Sequence, residues 1–406
     1  MAVHLLIRGN FPQQCESGAR SGGGRRARSA GGRAREYRFP SVASHARAPG
    51  PVLILPREPR PDLDLVKDAI AAFREKGRER VRPNDLDARD PAFIARVLPL
   101  LGLLYDDYCR CETELEEELP DGPFLAIGNH NAMTGMPDMY CHMTAFWRRY
   151  GTSRPAYGLM HDLPFNVPKA GPWLNASGAI AACPENARRA LARGAALLVF
   201  PGGDLDACKP TSAQYTIRFG QRRGFVRLAI REGVPIVPIV SVGAHQSLYI
   251  ATDGRRLAEW LGLPRLARSN VAPLGLALPW GLIVGVPIPH VPLPVKIHTR
   301  MLRPLHLGLP RGAADDPVQV ERAFERIVAV MQAGLDELRA AGRHGLFPRA
   351  ERGSPRAERG SPRAERGGAR RGGAAFAPNV WAGAHAAPGA ARARQRAVGL
   401  AGLSEK

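Results

Sequence analysis

The sequence predicts an α/β fold: a mostly parallel sheet flanked by helices, with a helical N-terminal preface and disordered tails. Two observations carry this prediction. Apolar runs of strand length (GPFLAIGNH, AALLVFPGG, VPIVPIVSVG) alternate with segments of helical spacing (PENARRALARG, FVRLAIREG), and strands that alternate with helices imply parallel pairing. The ends of the chain are Arg-rich and lack apolar periodicity, so they cannot repay their ordering entropy. At 406 residues and 45% hydrophobic, the chain between those ends is long enough to bury a real core.

The expected order is a disordered Arg/Gly-rich arm over 1–55, a helical preface over 60–120, the main domain over 121–345 and a low-complexity tail over 346–406. In the preface, DLDLVKDAIAAFREKGRERV and PAFIARVLPLLGLLYDDYCRCETEL have helical apolar spacing, and Pro99 is expected to break or bend the second. GPFLAIGNH reads as a buried strand that delivers Asn129 and His130 to a loop at its end, where open α/β sheets place their sites. PENARRALARG reads as a helix stopped at Gly194, and AALLVFPGG as a strand running into a Gly-rich turn. Residues 269–295 hold no Asp, Glu, Lys or Arg but six prolines, which predicts short extended segments in place of a membrane-spanning helix. The last helix, DDPVQVERAFERIVAVMQAGLDELRAAGR, lines Val320, Phe324, Ile327, Val328, Met331, Leu335 and Leu338 on one face and should close the domain. The tail repeats PRAERGS every seven residues, with Pro and Gly in each repeat excluding a coiled coil.

The net charge of +20 sits mostly in the two ends: nine arginines against Glu16 and Glu36 before residue 51, and eleven arginines with Lys406 against four glutamates after residue 348. Those ends lack interleaved aromatics, which argues against specific nucleic-acid binding and suits attraction to an anionic membrane surface. Six scattered cysteines show neither zinc spacing nor a disulfide framework, and with no apolar signal-peptide core a cytoplasmic, reducing setting is expected. The placement expected is peripheral, on the inner face of a membrane.

The densest cluster of chemistry-bearing residues is GNHNAMTGMPDMYCHM. An imidazole there suits proton removal from an alcohol near neutral pH, and a carboxylate on its other nitrogen would stabilise the imidazolium. His130 and Asp138 are the candidates, and Gly135 with Pro137 would turn the seven intervening residues back. A polar loop with a helix-capping Asp138 explains the same residues. A metal-dependent hydrolase using His130, Asp138 and His142 is a further alternative, with no accompanying ligand motif. The second cluster, FPGGDLDACKP, has Gly202 and Gly203 placed to let backbone amides approach a phosphate or a thioester carbonyl; an ordinary turn is the plainer explanation. His161, Asp162 and His245 read as satisfied structural groups.

Together and in order, NHNAMTGMPD, SGAIAACPENARRAL, FPGGDLDACKP and GVPIVPIVSVGAH resemble the four blocks of the glycerolipid acyltransferase superfamily, over about Asp90 to Arg343. The resemblance implies an acyltransferase-like fold and transfer of a fatty acyl group from acyl-CoA or acyl carrier protein to a lipid hydroxyl. His130 would be the base and Asp138 its partner, with no cofactor and no metal. It implies substrate contacts at Asn129, Gly135, Glu185, Pro201, Gly202, Gly203, Asp204, Lys209 and Arg223. The His-to-Asp spacing is longer than the usual four residues. In the third block, Gly202 and Leu205 stand where Glu and a phosphate-holding Arg are usual; this resembles the Phe-Pro-Gly-Gly form and favours a less charged acceptor. Lys209, Arg218, Arg222 and Arg223 are the cations left to meet a phosphate. A catalytically inactive lipid-binding or membrane-scaffold protein of the same fold is the alternative. An enzyme whose acceptor keeps its tails in the bilayer needs an exposed apolar patch, expected at 269–295 around Trp280 and at Leu100–Leu104.

Overall fold

Strands whose two faces are both covered read as unbroken apolar runs, and FLAIG is such a run: Phe124 and Ala126 of this strand pack to one side, Leu125 and Ile127 to the other. In the computed structural model the described residues are 52–348, apart from 134, 267–268 and 288–289. They lie within one unit, Met1–Arg352. The expected arm before residue 52 and the tail beyond 348 fall outside the described residues.

The strands in chain order are β1 (Leu53–Ile54), β2 (Glu112–Leu115), β3 (Phe124–Gly128), β4 (Ala156–Met160), β5 (Ala179–Ala181), β6 (Ala196–Val199), β7 (Ile236–Val242), β8 (Tyr249–Thr252), β9 (Leu274–Ala277), β10 (Gly281–Val284) and β11 (His298–Met301). The helices are α1 (Leu63–Lys76), α2 (Pro91–Leu103), α3 (Pro137–Tyr150), α4 (Asp162–Phe165), α5 (Ala170–Ala176), α6 (Pro184–Ala192), α7 (Gly203–Ala207), α8 (Gly224–Glu232), α9 (Arg255–Trp260), α10 (Leu263–Leu266) and α11 (Pro317–Ala341). Eight strands form the main sheet in the order β1-β2-β11-β7-β3-β6-β4-β5. From β7 to β5 every pairing is parallel, as the alternation of strands and helices predicts. β11 pairs antiparallel with β7 and parallel with β2.

Helices cover both faces. Ala187 and Leu191 of α6, Phe225 and Ile230 of α8, and Ile327 and Leu335 of α11 pack against Leu125, Ile127 and Leu197. On the other face Ala72 of α1, Phe93 and Ile94 of α2 and Phe146 of α3 meet Phe124, Ala126 and Val237. Sequence-local caps fix the helix starts: Asp90 accepts from the amides of Ala92 and Phe93 before Pro91, and Asp316 does the same for Val318 and Gln319 before Pro317. Gly342, left-handed at φ 67°, ends α11.

Three expectations are corrected. Helix α2 runs through Pro99 and continues into a wide turn at Leu104–Tyr108. The stretch read as helical preface contains β2, which belongs to the main sheet, and β1 lies inside the stretch read as arm. Leu100, Leu101 and Leu103 are half-buried, leaving only Leu104 of that group exposed. No described helix is long and apolar enough to cross a membrane.

Strands β9 and β10, from the segment 269–295 read as short extended pieces, form a separate antiparallel sheet with β8. Its inner residues Ile250, Ala277 and Ile283 pack on Ala132 and Met133, in the loop that follows His130.

Candidate active site

Parallel neighbours deliver their C-terminal ends to the same edge of a sheet. β3 and β6 are such neighbours, with Ile127 opposite Val199, so Asn129 and His130 emerge beside Phe200–Gly203. The His130 ring stacks on Phe200, centroids 4.7 Å apart at 27°, and His142 of α3 lies 6.4 Å from the same ring.

The loop between β3 and α3 is strained. Ala132 (φ 60°), Met133 (φ 48°) and Met136 (φ 35°) all take left-handed conformations, which non-glycine residues avoid and which concentrate at functional sites. Surrounding contacts hold it there. The His130 amide donates to Asp206 Oδ2 at 2.6 Å, the Ala132 amide to His245 Nδ1 at 3.4 Å and the Met133 amide to the Ala207 carbonyl at 3.2 Å. At Gly135 a Cβ would come within 2.6 Å of His290 Nδ1, so glycine there admits the neighbouring His290 ring.

His130 is partly buried and its Nδ1 has no hydrogen-bond partner. Burial, helped by the charge of Lys209, pushes its imidazole down to about 4, so the ring is neutral at pH 7. Asp138 is fully buried in the first turn of α3, where Asn131 Nδ2 donates to Oδ2 at 3.1 Å and the Met139 amide to Oδ1 at 3.0 Å. Burial outweighs those bonds and raises the carboxyl to about 7. The expected hydrogen bond between His130 and Asp138 is not formed; the carboxyl is held by Asn131 and the Met139 amide, and it does not cap α3, whose N-cap is Met136 with no side-chain cap.

Most of the expected substrate contacts are occupied by the protein itself. Asn129 exchanges two hydrogen bonds with the Ser241 backbone, stitching β3 to β7. Lys209 is fully buried and pairs with Asp206 at 2.8 Å. Arg223 pairs with Glu321 at 2.7 Å and lies over Phe324. Glu185 pairs with Arg188 on the exposed side of α6. Asp204 accepts from Arg222 at 2.5 Å and from the Asn270 amide at 2.8 Å, while Arg222 also donates to the carbonyls of Pro201 and Gly202. The two glycines serve this packing: at Gly202 a Cβ would lie 2.3 Å from Asp206 Cβ, and at Gly203 2.3 Å from Arg222 Nη1. Of the four cations considered for a phosphate, Arg218 pairs most loosely, 3.5 Å from Asp253. A cavity of about 630 Å³ opens there, with Leu205, Arg218, Asp253 and Phe324 in its walls and His130 not among its lining.

The metal alternative finds no geometry: His130, Asp138 and His142 do not converge. Among the described residues Glu112, Glu114 and His298 bring ligand atoms within 4.8 Å of one another. Arg343 holds both carboxylates, at 2.6 and 2.5 Å, Lys296 is 3.0 Å from Glu112 and Arg300 2.7 Å from Glu114. Among the described residues Cys109, Cys111, Cys141 and Cys208 form no disulfide, and Cys183 caps α6 through its sulfur.

The sequence reading did not single out Asp206, Phe200, Asn131 or His290. The Asp206–Lys209 spacing of three, within one helical turn, was the available sign of a local ion pair. The other three lie inside or near the quoted blocks, with no local pattern marking their contacts.

Two buried histidines give a pH prediction. Burial pushes His142 and His245 down to about 3, with His130 a second cause for the first and Lys209 for the second. A depressed histidine is protonated in the unfolded chain before the folded one. Its stabilisation is therefore complete above about pH 6.5 and lost as pH falls toward the folded value. Asp138, raised, works in the opposite direction and becomes stabilising as pH falls below about 7. His142→Phe isolates one histidine: the stability lost between pH 7 and pH 5 should be about 2 kcal/mol smaller than in the wild type. Urea melts at both pH values measure it; an equal loss in both proteins contradicts it.

With this geometry in place, comparison with known proteins defines the class. Residues 110–242 match the acyltransferase family model; this stretch is an acyltransferase domain, and the protein is an acyltransferase. An uncharacterized protein of Mycobacterium tuberculosis (strain ATCC 25618 / H37Rv) is 29% identical over 310 residues, 75% of this chain and 83% of that one. A human protein named DGAT1/2-independent enzyme synthesizing storage lipids is 30% identical over 179 residues, 43% of this chain and 53% of that protein. The crystal structure of the 1-acyl-sn-glycerophosphate (LPA) acyltransferase PlsC from Thermotoga maritima aligns over 68% of this chain and 90% of that one, at 13% identity and a TM-score of 0.39.

Proposed function

We propose that the chain transfers a fatty acyl group from acyl-CoA or acyl carrier protein to an uncharged hydroxyl of a glycerolipid or related lipid, with His130 as general base. The observation that carries this reading is the state of His130: a neutral imidazole at a sheet edge, stacked on Phe200, with a buried Nδ1 that no protein group satisfies. In the proposed step, Nε2 takes the acceptor's proton as its oxygen attacks the thioester carbonyl. The tetrahedral intermediate then collapses, and the proton leaves on the thiol. A depressed imidazole is a weak base by itself. Asp138, buried with a raised pKa, supplies the compensating charge if its carboxylate swings to Nδ1 when substrate is bound, which would lift His130 and lower Asp138 together.

The uncharged acceptor rests on the cations. Lys209, Arg222 and Arg223 are engaged by Asp206, Asp204 and Glu321, and Arg218, the most loosely held of the four, still faces Asp253 at 3.5 Å, so each candidate cation already has a carboxylate beside it. Relatives named as enzymes synthesizing storage lipids support a lipid product for this reaction. Turnover with mono- or diacylglycerol should exceed turnover with lysophosphatidate, compared with one labelled donor; a preference for lysophosphatidate contradicts this part of the proposal.

Asp138→Asn tests the pairing. It preserves size and can still accept one of the two bonds, from Asn131 or from the Met139 amide, but cannot stabilise an imidazolium, so kcat should fall at least ~10-fold with KM little changed. A rise in KM alone would make Asp138 a binding residue.

A further inference from the structure

We propose that the outer face of the β8–β9–β10 sheet docks on the surface of an anionic phospholipid bilayer and holds the His130 loop against it. This rests on the lipid-acceptor reading above and adds where the membrane meets the molecule. The observation is a period-2 split in which the outward residues are apolar. Ile250, Ala277 and Ile283 face inward, while Tyr249, Leu276, Leu282 and Val284 face out; Leu282 is 76% and Val284 67% exposed. Cross-strand register gathers these residues into a patch, Tyr249 beside Leu276 and Leu276 beside Leu282. Soluble sheets place polar residues on such a face, and an exposed apolar patch of this kind marks an interaction site.

Three features select lipid as the occupant. The first is composition: the stretch 269–295 holds no ionisable residue but His290, whose ring lies against Gly135 and not on this face. The second is an amphipathic aromatic at its edge, Trp280, 54% exposed in the β9–β10 turn, a placement suited to the headgroup boundary. The third is charge. Helices α9 and α10, which follow β8 in the chain, expose Arg256 and Arg265 against Glu259, with Arg255 paired to Asp253, and a basic excess of this kind attracts anionic lipid. The patch is also continuous with the site: its inner face packs on Ala132, Met133, Ala207 and Cys208, so a membrane bound outside is one sheet thickness from the strained loop.

The test is sedimentation of the full chain with vesicles of phosphatidylcholine alone and of phosphatidylcholine mixed with phosphatidylglycerol, for the wild type and for Leu282→Glu/Val284→Glu. Both side chains are exposed, so the variant should fold with an unchanged melting temperature. Its partitioning onto mixed vesicles should fall at least ~10-fold, while turnover of short-chain, water-soluble substrates stays at the wild-type rate. Wild-type binding should weaken with salt on the mixed vesicles. A wild type that turns over soluble substrates but stays off both vesicles overturns the docking proposal and leaves the reaction standing. A chain that binds through this face but transfers no acyl group supports docking and overturns the reaction. If the double variant turns a dimer into a monomer with vesicle binding unchanged, the face is covered by a second copy and the proposal is overturned.

Discussion

His130→Ala is expected to lower acyl transfer at least ~100-fold, the scale of losing a positioned general base, in a protein that still folds. Its ring contributes a stack on Phe200 and no side-chain hydrogen bond at Nδ1, so truncation should cost packing of one ring face and leave the loop in place. The loop's position depends on the His130 backbone amide, which donates to Asp206 whatever the side chain. Circular dichroism and a thermal melt establish folding before rates are compared. A folded variant that keeps near wild-type turnover removes His130 from the chemistry.

The largest effect on stability is expected at Lys209. Its ammonium and the Asp206 carboxylate are both fully buried, 2.8 Å apart, and Asp206 also accepts from the amides of His130 and Arg218. Lys209→Met deletes one charge and leaves the other buried, which costs about 3–5 kcal/mol. Asp206→Asn combined with Lys209→Met removes both charges and should recover part of that loss, because the uncompensated carboxylate is gone. Urea midpoints of the two variants decide it. A Lys209→Met protein within 1 kcal/mol of wild type, or about that, would mean that Asp206 is not held as a buried charge.

These two residues also show how far the sequence could be read. β3, β6 and β7 were legible because strands covered on both faces are uninterrupted apolar runs, and α6, α8 and α11 because period and caps agree. β4, β5 and β11 were missed: three to five residues give too short a pattern. β2 was read as helix because its Glu112 and Glu114 find their partners in Lys296, His298, Arg300 and Arg343, far along the chain. The site divides the same way. His130, at the end of a recognisable strand, was legible from local sequence. The partners of Lys209, Arg223 and Asn129 were not legible because the fold sets them; Glu321 lies 98 residues from Arg223 and Ser241 lies 112 from Asn129. A cation in a motif looks free until the packing that neutralises it is known.

The central claim is acyl transfer to a lipid hydroxyl. The most direct measurement is the fate of a labelled acyl group on acyl-CoA, incubated with purified wild-type protein in the presence and absence of diacylglycerol in mixed micelles. The account predicts that label enters a base-labile lipid ester only when acceptor is present, at a rate proportional to protein. Release of label as free fatty acid at the same rate with and without acceptor would make the protein a hydrolase. No turnover by folded protein with either acyl-CoA or acyl carrier protein as donor would contradict the account.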